Sequence, residues 1–280
     1  MFCDYHVHSE FSDDSTRLVE DIVLDAIKMN MQEICFTDHV DYGIKPDHCE
    51  FLDAWEDIDL TISMNVNYPV YFQSLNELKE KYKNEISIKQ GLEFGIQSHR
   101  LKSYEKLYQQ YKDNLDFVIL SIHQVNDLEF WNYDFQNGKT EHQHYQAYYQ
   151  EMYQCVQNFH HYSVLGHMDM LKRYDDREDY DAFKQNKEII TDILRYIIAD
   201  GKGIELNTSS VKYGLDDTMP SQNILKLYYD LGGRILTIGS DCHNKGELGA
   251  HIEEMKTLLK NIGFKEFCTF EKMQPIFHSL

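Results

Sequence analysis

The sequence predicts a single α/β domain folded as a distorted TIM-like (β/α)7 barrel. Seven short β-rich runs alternate along the chain with seven longer runs whose apolar residues recur at helical spacing. Two strand runs, "FVILSI" at 117–122 and "ILTIGS" at 235–240, are apolar on both alternations, which is typical of parallel strands covered by helices. Because no linker or internal repeat divides residues 1–280, we expect one domain, and seven units instead of eight predict a distorted barrel.

The predicted strands and helices alternate strictly. The strand runs occupy 2–8, 33–39, 86–94, 117–123, 162–167, 203–208 and 234–243. The helical runs occupy 17–30, 74–84, 100–114, 144–159, 181–200, 221–232 and 248–263. The connection at 40–72 is long for a link between a strand and a helix, and loops of that length are usually functional lids or disordered.

Composition argues against several classes of partner. Forty-seven acidic and 27 basic residues give a net charge of −20, which disfavours nucleic acids and anionic membranes unless bound cations reverse the sign locally. The first residues show no basic and apolar pattern of an export signal and no apolar run approaches about 18 residues, so neither export nor membrane spanning is expected. Its six cysteines lack C-x-x-C spacing and read as reduced thiols. We therefore expect a cytoplasmic protein with no membrane or nucleic-acid partner, and association into a homo-oligomer stays open.

Histidines and carboxylates concentrate where the predicted strands end. The carboxyl ends of parallel barrel strands meet at one rim, where barrel enzymes place their chemistry. The pleat of a strand points both imidazoles of "HVH" to one side, and imidazoles mixed with carboxylates suit Zn²⁺, Mn²⁺ or Fe²⁺. The sequence therefore predicts a metal site at this rim. The strand-end candidates are His6, His8, Asp38, His39, Glu93, His123, His167, Asp241 and His243.

The remaining histidines and the tyrosines receive structural interpretations. The other eight histidines lack a strand-end position, so we expect them to be solvated; they are His48, His99, His142, His144, His160, His161, His251 and His278. Many of the 20 tyrosines recur at helical spacing, which favours amphipathic packing over stacking on nucleic-acid bases.

Seven motifs together resemble the PHP (polymerase and histidinol phosphatase) superfamily. They are "HVHSEFSDD", "TDH", "GLEFG", "SIH", "GHMDMLKRY", "IELNTSS" and "IGSDCH". Their order is similar to that of the histidinol-phosphate phosphatases, and the resemblance runs from residue 4 into the tail "FKEFCTFEKMQPI". It implies that residues 1–280 form a PHP-type metal-dependent phosphatase domain, which holds three divalent ions and hydrolyses L-histidinol phosphate in histidine biosynthesis.

The resemblance also implies a ligand set for those three ions. Asp14 stands where the family often has a histidine, and a carboxylate, being a harder ligand, favours Mn²⁺ or Fe²⁺. The adjacent Asp13 could substitute for it, and Asp38 could instead orient a ligand imidazole. The implied sets are His6, His8, Glu93 and Asp241 for the first ion, Glu93, His123 and His167 for the second, and Asp14, His39 and His243 for the third.

A hydroxide bridging two metal ions is a strong nucleophile at neutral pH, which fits phosphomonoester hydrolysis. The candidate catalytic residues are Glu93, Asp241 and His243, and either of the last two would assist the leaving oxygen.

Basic residues near the motifs are candidate substrate contacts. Arg173 and Arg100 could grip phosphate with their guanidinium groups, with surface solubility as the alternative reading. Lys212 is a further candidate, although "NTSSVKYG" departs from the family pattern there. Asp41 or Asp47 could bind a substrate ammonium or imidazolium.

Two other functions remain open at this stage. A PHP-type nuclease or nucleotide phosphatase would require a basic approach groove, and the charge of −20 argues against it. A non-catalytic metal-dependent module would not need the complete ligand set.

Overall fold

Seven parallel strands form a nearly closed barrel in the computed structural model, which describes residues 1–48, 63–175 and 180–280. Neighbours in the barrel follow the order of the chain. With strands numbered along the chain, the barrel consists of β1 (Cys3–Val7), β2 (Glu33–Phe36), β4 (Ser87–Gly95), β5 (Phe117–Ser121), β8 (Val164–Leu165), β9 (Gly203–Asn207) and β10 (Leu236–Gly239). The predicted fold class and all seven strands are confirmed.

The first and last barrel strands meet and close the barrel. His8 N donates a hydrogen bond to Cys242 O at 2.9 Å, and Asp241 N donates to His6 O at the same distance. Asp241 adopts a left-handed backbone conformation with a φ of 56°, so the chain turns sharply directly after β10. This seam brings the "HVH" and "SDCH" motifs side by side.

The helices follow the predicted alternation. They are α1 (Val19–Lys28), α2 (Tyr68–Lys81), α3 (Leu101–Tyr111), α4 (Glu141–Asn158), α5 (Ala182–Ala199), α6 (Gln222–Asp230) and α7 (Ile252–Ile262). The prediction that the second helix begins at residue 74 was wrong, because α2 starts six residues earlier. Pro69 fits its first turn, where no backbone donor is required, and the buried Tyr71 and Phe72 extend its apolar face. Residues 49–62 of the long predicted loop lie outside the described residues.

Short strands and a terminal hairpin complete the fold. β3 (His39–Val40) pairs with β4, and β6 (Gln124–Val125) forms a small hairpin with β7 (Leu128–Glu129). The sequence analysis did not predict the antiparallel hairpin of β11 (Glu266–Glu271) and β12 (Gln274–Ser279). Its buried Phe270 packs on Phe117 of β5, with ring centroids 5.0 Å apart, and its backbone hydrogen-bonds to the hydroxyl of Tyr5 on β1.

Several tyrosines on the helices lie in the core. Tyr71, Tyr104, Tyr145, Tyr148 and Tyr149 are all at most 1 % exposed, which supports packing as their role. A fully buried side chain of this size stabilises the fold by about 1.5–3 kcal/mol. The expectation that His144 is solvated was wrong, because it lies under this layer with its ring 5.1 Å from that of Tyr145.

The cysteines and the lengths of the helices bear on the expected cellular setting. Five of the six cysteines are described, and each of these is buried and free; Cys49 lies outside the described residues. Among the helices of the described chain, none is both long enough and apolar enough to cross a membrane.

Candidate metal centre

Glu93, near the carboxyl end of β4, lies at the middle of the candidate site. Its Oε1 is 2.8 Å from His167 Nε2 and 3.1 Å from His123 Nε2. Its Oε2 is 3.2 Å from His6 Nε2 and 3.0 Å from His39 Nδ1. Each oxygen therefore faces its own pair of imidazoles, which is the arrangement required of a carboxylate that bridges two cations.

The two motifs at the barrel seam add further donors on the Oε2 side. His8 Nε2 lies 3.5 Å from Glu93 Oε2 and 3.5 Å from Asp241 Oδ1. Asp241 Oδ1 is also 3.7 Å from His6 Nε2. These distances are longer than a good hydrogen bond. The four candidate donor atoms are therefore grouped without bonding one another; they are His6 Nε2, His8 Nε2, Glu93 Oε2 and Asp241 Oδ1.

A third group lies at the outer edge of the site. Asp14 Oδ2 is 3.0 Å from His243 Nε2 and 3.4 Å from His39 Nε2. Asp14 comes from the loop after β1, His39 from β3 and His243 from the loop after β10. The fold thus brings together all nine residues of the expected ligand set, from six different strand ends.

Unsatisfied buried atoms show that this donor set fits metal ions. His6 Nε2, His8 Nε2, His39 Nδ1 and Glu93 Oε2 are buried and make no well-aligned hydrogen bond among the described residues, although the last two lie 3.0 Å apart. Leaving such atoms unpaired costs about 1–3 kcal/mol each, so a protein rarely retains several together without a reason. Mixed imidazole and carboxylate donors suit Zn²⁺, Mn²⁺ or Fe²⁺. Several groups of three donor atoms within 4.8 Å of one another occur here, including His6, Glu93 and His167.

Electrostatics within the cluster favour ionised carboxylates. Burial alone would raise the pKa of Glu93, but His6, His123 and His39 outweigh it and hold that pKa well below its usual range. Burial lowers the pKa of His8, and the neighbouring imidazoles of His243 and His39 lower it further. His8 is therefore neutral, which is the form that binds a cation.

A carboxylate that was not predicted from the sequence orients the imidazole of His6 and anchors the backbone of His167. Glu205 on β9 accepts a hydrogen bond from His6 Nδ1 at 2.5 Å and another from His167 N at 2.9 Å. The Nδ1 bond leaves His6 Nε2 free to face the centre. The sequence signals were an acid inside the strand run "GIELN" and its place in the family motif "IELNTSS".

Two acids near the second strand also contact ligand imidazoles, one directly and one through a serine. His123 Nδ1 donates to Asp41 Oδ1 at 2.9 Å, so Asp41 is engaged and does not stand free for a substrate cation. Asp38 reaches His8 only indirectly, because it accepts from Ser12 Oγ at 2.7 Å and Ser12 Oγ lies 3.1 Å from His8 Nδ1.

Asp47 does not line the cavity that contains the candidate site. It accepts hydrogen bonds from the hydroxyls of Tyr42 and Tyr68, at 3.0 and 2.9 Å.

The centre lies at the base of a cavity of about 620 Å³. Arg173 lines it and donates to Asp241 Oδ2 at 2.8 Å and Ser209 Oγ at 2.7 Å, while its guanidinium stacks 4.3 Å from the Tyr213 ring centroid. Lys212 also lines the cavity, although it pairs with Glu247 at 3.0 Å.

Arg100 is not among the residues that line the cavity. Its guanidinium donates to Asp127 at 2.9 Å, and its side chain is 41 % exposed. The structure therefore does not bring Arg100 together with the other candidate phosphate contacts.

The fold and the site define a class: a barrel protein whose strand ends assemble a candidate site for several divalent ions. Residues 4–209 match the PHP domain family. The histidinol-phosphatase of Lactococcus lactis subsp. lactis (strain IL1403) is 34 % identical over 278 residues, which cover 97 % of this chain and 95 % of that protein. The probable histidinol-phosphatase of Thermotoga maritima is 28 % identical over 264 residues, covering 94 % of this chain and 93 % of that protein.

A solved structure agrees with these relatives. The crystal structure of the histidinol phosphate phosphatase from Lactococcus lactis, complexed with zinc, L-histidinol and phosphate, matches with a TM-score of 0.80. Its sequence is 32 % identical, and the match covers 98 % of each chain. The chain belongs to the PHP domain family, as its motifs indicated.

Proposed function

We propose that this chain is a metal-dependent histidinol-phosphatase that hydrolyses L-histidinol phosphate to L-histidinol and phosphate, a step of histidine biosynthesis. The observation that carries this proposal is a match along nearly the whole chain to an enzyme whose structure contains zinc, L-histidinol and phosphate together. The described centre supplies the donor atoms that such a reaction requires.

The proposal includes three divalent cations, Zn²⁺, Mn²⁺ or Fe²⁺, and assigns the ligands of each. Glu93 is shared because its two oxygens face different imidazoles. The first cation is held by His6, His8, Glu93 and Asp241, the second by Glu93, His123 and His167, and the third by Asp14, His39 and His243. When bound, such cations act as Lewis acids on phosphoryl oxygens and lower the pKa of water.

The chain's own residues position the substrate. Arg173 is held by Asp241, Ser209 and Tyr213, so its planar guanidinium is oriented before phosphate arrives and can grip two phosphate oxygens. Hydrolysis breaks the bond between phosphorus and the ester oxygen, and that oxygen takes up a proton as water adds its hydroxyl to phosphorus. Asp241 or His243 assists the departing oxygen, since both lie at the cavity wall.

Parts of the chain beyond the family match belong to the same unit. Asp241 and His243 follow β10, which lies outside the matched residues 4–209 yet closes the barrel against β1. We therefore propose that residues 1–280 act as one PHP-type phosphatase domain. A cytoplasmic location is part of this proposal, and the five free, buried cysteines support it because reduced thiols are typical of that compartment.

Phosphate release tests the function directly. We expect Mn²⁺-loaded protein to release phosphate from L-histidinol phosphate far faster than from a nucleoside monophosphate or a short oligonucleotide, and chelation to abolish the reaction. Arg173→Met is expected to lower kcat/KM about 10-fold or more, because a bidentate charged contact is lost. Arg195→Met is the matched control, since its guanidinium is exposed on α5.

The competing outcome is equally clear. Preferential turnover of the nucleotides would move this protein to the nuclease branch of the family while leaving the metal centre in place.

A further inference from the structure

Lys45 is a buried cation beside the metal centre to which the proposed function gives no role. Its Nζ lies 2.6 Å from Asp13 Oδ1 and 2.8 Å from Asp41 Oδ2, and only 10 % of its side chain is exposed. We propose that Lys45 is a positioning residue that holds the loop carrying Asp14 against the centre, so that the third cation depends on it. This inference rests on the proposed metal centre.

One end of this contact lies on the loop after β1. Asp13 and Asp14 are adjacent but point to different partners: Asp13 to Lys45, and Asp14 to His243 and His39. Asp14 is 51 % exposed, and its carboxylate contacts these two proposed ligands of the same cation. Hydrogen bonds from Ser12 Oγ to Asp38 at 2.7 Å and from Ser15 Oγ to His243 O at 2.9 Å also hold this loop. The ion pair of Asp13 is the charged contact between them, directly beside Asp14, and fixes Asp14 before the cation arrives.

The other end of the contact is rigid. The backbone N of Lys45 donates to Asp41 O at 2.9 Å, and Lys45 O accepts from Asn65 Nδ2 at 2.8 Å. Asn65 Oδ1 in turn accepts from Asp41 N at 2.7 Å. Asp41 also holds His123, so the base to which the Asp13 loop is attached is itself part of the centre.

The charges explain why a lysine suits this position. Burial alone would lower the pKa of Lys45, but Asp41 and Asp13 outweigh it and raise that pKa above its usual value. Lys45 is therefore charged, and breaking a buried pair leaves an uncompensated charge, which is strongly unfavourable. Because Asp13 pairs with Lys45, the adjacent Asp14 is the carboxylate that contacts His243 and His39.

The test counts bound cations per chain after the loaded protein is desalted. We expect Lys45→Met and Asp13→Asn each to retain one cation fewer than the wild type, with affinity for that cation weakened about 10-fold or more. The double variant should lose no more than Lys45→Met alone, because both changes break the same contact. Lys45→Arg, which keeps the charge, should retain the wild-type count, as should the control Lys81→Met, whose ion pair with Glu20 lies on the surface.

Lys45→Met also removes the cation beside Asp41, whereas Asp13→Asn breaks only the contact between Asp13 and Lys45. Asp13→Asn therefore tests the positioning role by itself, and it serves as the test if Lys45→Met fails to fold. A full cation count in Asp13→Asn would overturn the proposal, as would an additive double variant. The count requires no substrate, so failure to hydrolyse L-histidinol phosphate would overturn the proposed function alone.

Discussion

At the scale of single residues, the centre depends on which nitrogen of each imidazole faces it. Glu205 and Asp41 take the Nδ1 atoms of His6 and His123, so the Nε2 atoms of both rings point towards Glu93. His39 instead presents Nδ1 to Glu93 and Nε2 to Asp14. His39 therefore contacts residues of two of the proposed sites, so the proposed third site lies beside the other two.

The missed residue Glu205 gives the first prediction at this scale. Glu205→Gln retains the size of the side chain but removes its charge and turns one of its two acceptor oxygens into an NH2 donor, which would face the N–H of either His6 Nδ1 or His167 N. We expect the affinity of the metal-free protein for Mn²⁺ to fall about 10- to 100-fold, as is usual when a carboxylate behind a ligand histidine is removed. Competition with a chelating dye measures it. Glu254→Gln is the matched control, because Glu254 contacts His251 on the surface at 2.9 Å. Equal affinities for the two variants would contradict the role of Glu205.

At the scale of elements, the sequence predicts the barrel strands better than the contacts between distant strands and the terminal hairpin. The carboxyl ends of parallel strands share a rim, so the strand-end positions 6, 39, 93, 123, 167 and 241 were sufficient to predict that these side chains lie together, whereas Asp14 entered only through the family resemblance. The contact of Glu205 with His6 links residues 199 positions apart across the barrel, and no local pattern encodes it. The terminal hairpin was missed because its β12 strand is largely exposed and shows no clean apolar alternation.

The seam between β1 and β10 gives the prediction at this scale. Asp4 on β1 is fully buried and accepts hydrogen bonds from His6 N, Ser240 N and Gly249 N, at 3.2, 2.9 and 2.8 Å, and from the Ser240 hydroxyl. All four partners are donors, so the amide nitrogen of Asp4→Asn would face a donor. We expect the free energy of unfolding to fall by about 2–3 kcal/mol, measured by urea denaturation of the metal-free protein.

A surface aspartate provides the control for Asp4. Asp230 is 55 % exposed at the end of α6 and pairs with Lys226 one turn earlier. Asp230→Asn should change the free energy of unfolding by no more than about 0.5 kcal/mol. If Asp4→Asn were as stable as this control, the carboxylate would not be what holds the seam.

At the scale of the whole molecule, the net negative charge repels a long anionic substrate, whereas the cavity attracts a single phosphate. The chain carries a net charge of −20, whereas the bound cations, Arg173 and Lys212 would make the cavity locally attractive to one phosphate. A small phosphomonoester enters this local field, but a polyanion must also lie along the acidic surface. We therefore expect the acidic surface, as well as the cavity, to select substrates by size.

This selection predicts the sign of a salt effect. Raising the salt concentration from about 20 to about 200 mM shortens the screening length from roughly 20 to under 10 Å, so repulsion between the acidic surface and an oligonucleotide weakens. We expect kcat/KM for removal of a terminal phosphate from a short oligonucleotide, however low, to rise with salt, while kcat/KM for L-histidinol phosphate changes less. A protein built to hold nucleic acid behaves oppositely, because its affinity falls steeply as salt competes for the phosphates. Phosphate release at both salt concentrations, with potassium acetate as the salt and saturating Mn²⁺, distinguishes the two. A steep fall for the oligonucleotide would show that a basic track crosses this acidic surface and would favour the nuclease branch.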